Sequence, residues 1–156
     1  MRTRAQLLGH PIHPMLIVLP LGALMLSVLL DFFRLVDDRD LWADTAYVLV
    51  ALGVLTGLGV AIPGLMDWLS IPSDHDAKSI GLIHGASNSI GLVLFAVSGL
   101  LRYNQADNWS SLAMLLSLAG LAALLVGGWL GGEMVYRHGI GVDPASITFA
   151  PKRPGK

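Results

Sequence analysis

The sequence predicts an all-α integral membrane protein, folded as a four-helix bundle with antiparallel up-down topology. Of its 156 residues, 54% are hydrophobic and only 13% are charged, whereas soluble domains carry about 25% charged residues. Four apolar stretches are long enough to cross a hydrocarbon core of about 30 Å, which needs about 20 helical residues. The polar connectors between them are short, so neighbouring helices are antiparallel. We therefore expect one transmembrane domain, residues 1–138.

The first predicted span covers residues 15–33. It follows Pro14, a residue suited to the first helical position. Pro20 lies within the span and removes one backbone hydrogen bond, so we expect a kink near Leu16. Asp31 comes near the far end of the span, where we expect an interfacial side chain.

The remaining spans and the tail follow in chain order. The connector after the third span begins with Arg102, which we therefore expect outside the bundle. No charged residue lies near the middle of any span, which argues against a continuous proton path or channel across the bilayer. The proline-containing segment 139–156 lacks helical periodicity and is predicted to be an extended cytoplasmic tail. The three spans are predicted at residues 46–69, 79–101 and 111–136.

The charge distribution predicts the orientation of the bundle. With four spans, both termini lie on the same side of the membrane. That side carries seven of the ten Lys and Arg residues. The positive-inside rule therefore places both termini in the cytoplasm.

Composition also excludes several classes of function. A net charge of -1 without a dense basic patch argues against a nucleic-acid partner. The absence of cysteine excludes disulfides, thiolate chemistry and cysteine-ligated iron-sulfur clusters. Hydrolase and phosphate-binding motifs are missing, so the sequence favours a redox or binding role over an enzyme. Histidine is the residue type most able to carry chemistry here.

All five histidines fall toward the terminus-bearing side of the predicted bundle. Two carboxylates at the ends of the second and fourth spans belong to the same layer. Polar groups at a bilayer are costly unless they face a partner, a cavity or the interface, so this grouping is the main functional lead. The set is His10, His13, His75, His84, His138, Asp67 and Glu133.

The third span places small and polar residues on one helical stripe. Gly81, His84, Gly85 and Asn88 recur at spacings of three and four residues, so we expect the stripe to face the bundle interior. Glycines also allow close helix packing in lipid without any ligand. A short parallel between Gly64 to Trp68 and Gly132 to Tyr136 hints at duplicated helix hairpins, although chance explains two five-residue segments equally well.

The first functional hypothesis is a b-type haem protein. His13 and His84 open two parallel helices on the same side, and we expect them to be the axial ligands. Gly81 and Gly85 would leave room for the porphyrin. Asn88, one helical turn deeper, would be available for a hydrogen bond that supports His84 as a ligand.

Two other hypotheses stay open. A zinc, iron, manganese or copper ion would take its ligands from the same layer. Alternatively, these side chains hold the bundle through hydrogen bonds and bind no cofactor. The metal candidates are His10, His13, His84, His138, Asp67 and Glu133.

Several short motifs resemble a known family of bacterial membrane proteins. They are the segment from Gly9 to Pro14, Pro63-Gly64 with Asp67-Trp68, His84 to Asn88, and Gly131 to Val142. In this order they resemble the four-helix DUF2231 family over about residues 7–143. That resemblance implies a multi-pass protein of the bacterial inner membrane, without an established activity.

The same resemblance implies candidate partners. Some members of the family are joined to Rieske-type iron-sulfur domains, so a redox partner of this type is expected beside the lipid bilayer. Glycine faces left over after the bundle closes would also allow an oligomer.

Overall fold

The computed structural model describes residues 5–103, 105 and 109–142. Most of these residues are helical, and the fold class is the all-α four-helix bundle expected of the sequence. A two-stranded hairpin precedes the helices. The elements are β1 (Gln6–Leu7), β2 (His10–Pro11), α1 (Ile12–Leu16), α2 (Val18–Val36), α3 (Asp40–Leu69), α4 (Ala77–Tyr103) and α5 (Ser111–Tyr136).

Four helical stretches are long and apolar enough to cross a membrane. The first, Ile12–Val36, consists of α1 and α2 and is interrupted at Ile17. Pro20 has no N–H to donate to the carbonyl of Leu16, which accounts for the interruption. Each observed helix contains the span predicted for it.

The four long helices close into a bundle in chain order. Helix α2 packs against α3, α3 against α4, α4 against α5, and α5 against α2, so that α2 and α4 lie diagonally across the bundle. Large apolar side chains such as Leu55 and Trp129 are exposed on the outside, as is typical of a surface that faces lipid. The interior is centred on Leu24, Val28, Val50, Phe95 and Leu124.

Glycines bring the helices of each hairpin into close contact. A Cβ atom on Gly53 would lie 2.5 Å from the side chain of Leu24, and one on Gly120 would lie 2.8 Å from the ring of Phe95. Both distances are too short for real contacts. Small residues at these positions therefore permit the packing that replaces the hydrophobic effect between helices in lipid.

The N-terminal hairpin is tied to the end of α3. Leu8 and Gly9 form its turn with positive φ angles of 50° and 82°, the conformation that a two-residue hairpin turn requires. The backbone N–H of Ala5 then donates to Oδ1 of Asp67 at 2.9 Å. Because Asp67 is buried, this bond fixes the start of the hairpin to the end of α3.

Helix α5 ends in a glycine cap. Gly139 has a φ of +65°, and its N–H donates to the carbonyl of Val135 at 3.1 Å, which is the bond of the αL glycine cap. The N–H of Ile140 donates to the carbonyl of Met134 at 3.0 Å. Ile140 then packs against Ile71 and Ala77 at the start of α4. The first residues of the predicted tail thus fold back on the bundle, and residues 143–156 lie outside the described part of the chain.

Candidate functional site: a histidine pair inside the bundle

His13 and His84 meet inside the bundle. Their ring centroids are 6.2 Å apart, and the ring planes are inclined by 79°. His13 lies in the short helix α1 and His84 lies in α4, so the two imidazoles come from diagonally opposite sides of the bundle. Both side chains are half-buried. This pair is the centre of the candidate site.

Each imidazole is held by a backbone carbonyl of the helix next to it. Nδ1 of His13 lies 2.9 Å from the carbonyl oxygen of Val60, and Nδ1 of His84 lies 2.7 Å from that of Gly127. A carbonyl oxygen only accepts, so Nδ1 donates in both cases and carries the ring proton. Because Nδ1 is engaged in each ring, Nε2 is the atom that a metal would take.

Two glycines make the space that the imidazoles occupy. A Cβ atom on Gly64 would lie 2.8 Å from the His13 ring, and one on Gly131 would lie 3.1 Å from the His84 ring. Each glycine comes four residues after the carbonyl that holds the same imidazole, one helical turn further along α3 or α5. A side chain at either position would displace the ring.

The glycines expected to line the site have other surroundings. A Cβ atom on Gly81 would meet the indole of Trp68 at 2.7 Å, and one on Gly85 would meet nothing within 4 Å. Gly81 therefore makes room for Trp68, and neither glycine lies against an imidazole. The space beside the rings therefore comes from glycines of α3 and α5 and not from the glycine stripe of α4.

Asn88 lies against His84, one helical turn deeper in the bundle. Its Nδ2 donates to the backbone carbonyl of His84 at 2.9 Å and lies 3.3 Å from Nε2 of the same ring. The amide also fills the space above Gly127. The predicted neighbour of the His84 imidazole is thus in place.

Two of the other metal candidates are engaged near the N-terminal hairpin. Asp67 accepts the N–H of Ala5. His10 is exposed, with Nδ1 at 3.2 Å from the carbonyl oxygen of Leu8. Both residues therefore serve the hairpin rather than the histidine pair.

The remaining two metal candidates lie at the end of α5. Glu133 pairs with Arg137 at 3.2 Å, and the ring of His138 lies 6.0 Å from that of His75. Within the described part of the chain, no group of three or more His, Asp or Glu side chains is placed to hold a metal ion. The six-residue metal set is therefore not assembled, because a shared depth in the membrane does not bring side chains onto facing sides of the helices.

A second polar cluster lies at the opposite end of the bundle, and sequence reasoning missed it. Arg102 donates to Asp31 through Nη1 at 2.7 Å and through Nη2 at 2.6 Å. Both side chains are fully buried. The expectation that Arg102 lies in a connector outside the bundle is wrong, since α4 continues to Tyr103 and the Arg102 side chain is buried. Asp31, expected at the far end of its helix and outside the histidine layer, is buried there against Arg102.

Serine hydroxyls complete this cluster. Nε of Arg102 donates to Oγ of Ser98 at 3.2 Å. Ser98 also lies 2.8 Å from Oγ of Ser117 and 2.8 Å from the carbonyl oxygen of Ala113. The buried charges are therefore surrounded by hydrogen-bonding groups, as burial in an apolar interior requires. The cluster binds the ends of α2, α4 and α5 to one another.

Comparison with known proteins gives a family match. A family model described as "Predicted membrane protein (DUF2231)" matches residues 9–144. The matched segment contains the four long helices, the histidine pair and the buried ion pair. A search of the curated proteins found no match to the chain, and a search of the solved structures found none either.

Proposed function

Because the chain belongs to the DUF2231 family of predicted membrane proteins and two imidazoles meet within its bundle, we propose that it is a b-type haem protein of the membrane. His13 and His84 are the proposed axial ligands. The haem would supply one-electron redox chemistry. The protein would then pass electrons to or from a redox partner at the membrane.

The separation of the two rings carries the proposal. Two imidazoles bound through Nε2 to opposite sides of one metal ion, with metal–nitrogen bonds of about 2.0–2.1 Å, have ring centres about 6 Å apart. The centroids of His13 and His84 are 6.2 Å apart. Both Nδ1 atoms are already engaged with carbonyls, so Nε2 is the nitrogen that would ligate in each ring, and in His84 the amide of Asn88 lies 3.3 Å from it.

The small number of donors favours haem over a bare metal ion. A structural zinc site takes four protein ligands, and a catalytic one takes three. Haem brings four ring nitrogens of its own and needs only two from the protein. In the described residues no third His, Asp or Glu joins His13 and His84, which is the donor set of a bis-imidazole haem.

The surrounding residues have defined roles in this proposal. The carbonyls of Val60 and Gly127 hold the Nδ1-protonated tautomer and fix the direction of each ring. Gly64 and Gly131 provide the space beside the rings. Asn88 lies against His84 and limits its rotation.

We place the protein in the inner membrane of a bacterium, with both termini in the cytoplasm. Seven of its ten Lys and Arg residues lie on the terminus-bearing side, which supports this orientation through the positive-inside rule. The histidine pair is near that face, so a redox partner such as a Rieske-type protein would approach from the cytoplasmic side. A cofactor-free bundle held by the imidazoles is the competing proposal.

An absorption spectrum and metal analysis of the detergent-purified protein test the function. A Soret band that is present in the unmodified protein and lost in His13→Ala and in His84→Ala is the expected result. His10→Ala is the matched control and keeps the band, because His10 is exposed and lies on the hairpin. Stoichiometric metal without a Soret band would support a bare ion, and the absence of both would support the cofactor-free bundle.

A further inference from the structure

The buried positions of α2 and α4 repeat at a constant separation. Asp31 and Arg102 are 71 residues apart, and the same separation relates His13 to His84. Applied along α2, it maps one set of buried residues onto another. The pairs are Pro20 and Gly91, Leu24 and Phe95, Ser27 and Ser98, and Asp31 and Arg102.

Helices α3 and α5 repeat in the same manner, with a separation of 67 residues from Gly53 to Gly120. This register relates Gly64 to Gly131, whereas the sequence parallel had aligned Gly64 with Gly132. The two hairpins therefore bury matching positions. The buried pairs are Ala46 and Ala113, Val50 and Ser117, Gly53 and Gly120, Gly57 and Leu124, and Val60 and Gly127.

The contacts within each hairpin repeat along with the positions. Gly53 abuts Leu24 in the first hairpin, and their counterparts Gly120 and Phe95 abut each other in the second. The imidazole-to-carbonyl bond is repeated too, since the bond from His13 to α3 has its counterpart in the bond from His84 to α5. Matching burial and matching contacts describe two copies of one structural unit.

Two contacts between the hairpins join a residue to its own counterpart. His13 meets His84 at one end of the bundle, and Asp31 meets Arg102 at the other. In a two-fold arrangement only residues near the axis contact their own equivalents. Both polar pairs therefore lie near one axis, and because the hairpins run in the same direction it is parallel to the bundle, as in parallel membrane repeats.

From this placement we infer that the chain is a tandem repeat of one helix hairpin. The first copy ends with α2 and α3, the second consists of α4 and α5, and the surface of each copy fits the other copy. The ion pair between Asp31 and Arg102 fixes how the two copies dock. Its two charges are interchangeable, because the two positions are equivalent by the repeat. This inference does not depend on a cofactor.

The surroundings of the pair support the exchange of charges. Arg102 has Ser98 four residues before it and donates to that hydroxyl. Asp31 likewise has a serine four residues before it, Ser27, which is fully buried and donates its hydroxyl to the carbonyl of Leu24. An arginine at position 31 would therefore have the hydroxyl of Ser27 one turn away, as Arg102 has that of Ser98.

The test is an exchange of charges in the full chain, followed by thermal unfolding in detergent. D31R and R102D each place two like charges in the interior and are expected to lower Tm by about 10 °C or more. The double variant D31R/R102D restores the pair and returns Tm to within a few degrees of the unmodified protein. Where a single variant yields no folded protein, recovery of folded protein by the double variant is the corresponding result.

The exposed pair between Asp37 and Arg39 supplies the matched control. Exchange of these two charges, and each single change, is expected to lower Tm only slightly and by far less than the single changes at Asp31 and Arg102, since exposed ion pairs contribute little. D31N is a milder variant that keeps the volume of the side chain and is expected to lower Tm as well. A double exchange no more stable than the worse single variant would overturn the inference, as would single variants with an unchanged Tm.

These outcomes are separable from the proposed function. A normal Soret band together with a failed charge exchange would leave the haem proposal intact and remove the equivalence of the two positions. Rescue by the double variant without any Soret band would support the equivalence of the two positions and remove the haem proposal.

Discussion

Asp31 of α2 and Arg102 of α4 form a two-pronged ion pair, with nitrogen–oxygen distances of 2.7 and 2.6 Å, and neither side chain is exposed. Two charges in an apolar interior are tolerated only when their geometry and their hydrogen bonds are complete. Loss of one partner therefore has a larger effect than loss of both.

Arg102→Met is expected to lower the free energy of unfolding by about 3–5 kcal/mol, because it leaves the buried carboxylate of Asp31 without a counter-ion. The double variant Asp31→Leu with Arg102→Met should recover most of that loss, since apolar residues of similar volume often replace a buried pair at little cost. Denaturant unfolding in detergent measures both changes. A double variant as unstable as the single one would contradict this account.

Gly64→Ala is expected to destabilise the protein by about 1–3 kcal/mol, because the new methyl group would lie 2.8 Å from the His13 ring. Gly59→Ala on the same helix is the control, since its Cβ would meet nothing within 4 Å. The control should be neutral or slightly stabilising through its helix propensity. Comparison of Tm for the two variants checks the prediction, and an equal effect of both would contradict it.

Asp67→Leu is expected to release the N-terminal hairpin, because the N–H of Ala5 loses its acceptor. A hydrogen bond to a charged group contributes about 1.5–3 kcal/mol. Faster hydrogen exchange at the Ala5 amide, measured by NMR or mass spectrometry, is the expected signature. Glu133→Leu at the end of α5 is the control, and exchange at Ala5 should be the same as in the unmodified protein.

The carboxyl group of Asp37 is expected to make the stability of the fold depend on pH. Hydrogen bonds from Arg39 and then from Trp42 hold the pKa of its carboxyl below the usual value. A lowered folded-state pKa stabilises the fold above the unfolded pKa of about 3.9, and this contribution disappears as the pH falls through the folded pKa. Tm of Asp37→Asn should therefore be lower than that of the unmodified protein at pH 7. The two values should converge in strong acid, and a constant difference down to the lowest pH would contradict the assignment.

The bundle was predictable because membrane spans are encoded in local composition. Twenty apolar residues between polar connectors indicate a helix whatever surrounds it, and Pro20 indicated the interruption beside it. The pairing of His13 with His84 followed from the same argument, because both residues open parallel helices on the same side. The carbonyls of Val60 and Gly127 that hold the two rings could not be predicted, since composition does not encode how the helices are rotated toward each other.

The rest depended on which faces of the helices meet. Arg102 sits at the edge of an apolar stretch, where composition alone assigns it to a connector, and only the extra length of α4 takes it inside. From the sequence, Gly64 and Gly131 cannot be distinguished from glycines that only allow helix packing. Their role beside the imidazoles depends on the positions of His13 and His84 in the fold. Glu133 and His138 share the depth of the histidine pair but face other neighbours.

The separation between Asp31 and its partner also bears on how the protein is made. Arg102 is synthesised 71 residues after Asp31, a delay of about 4–14 s at about 5–20 residues per second. During that interval the carboxyl group of Asp31 lacks the partner that it has in the folded bundle. Entry of the second hairpin supplies that partner, so the last two helices complete the insertion of the first two as well as their own.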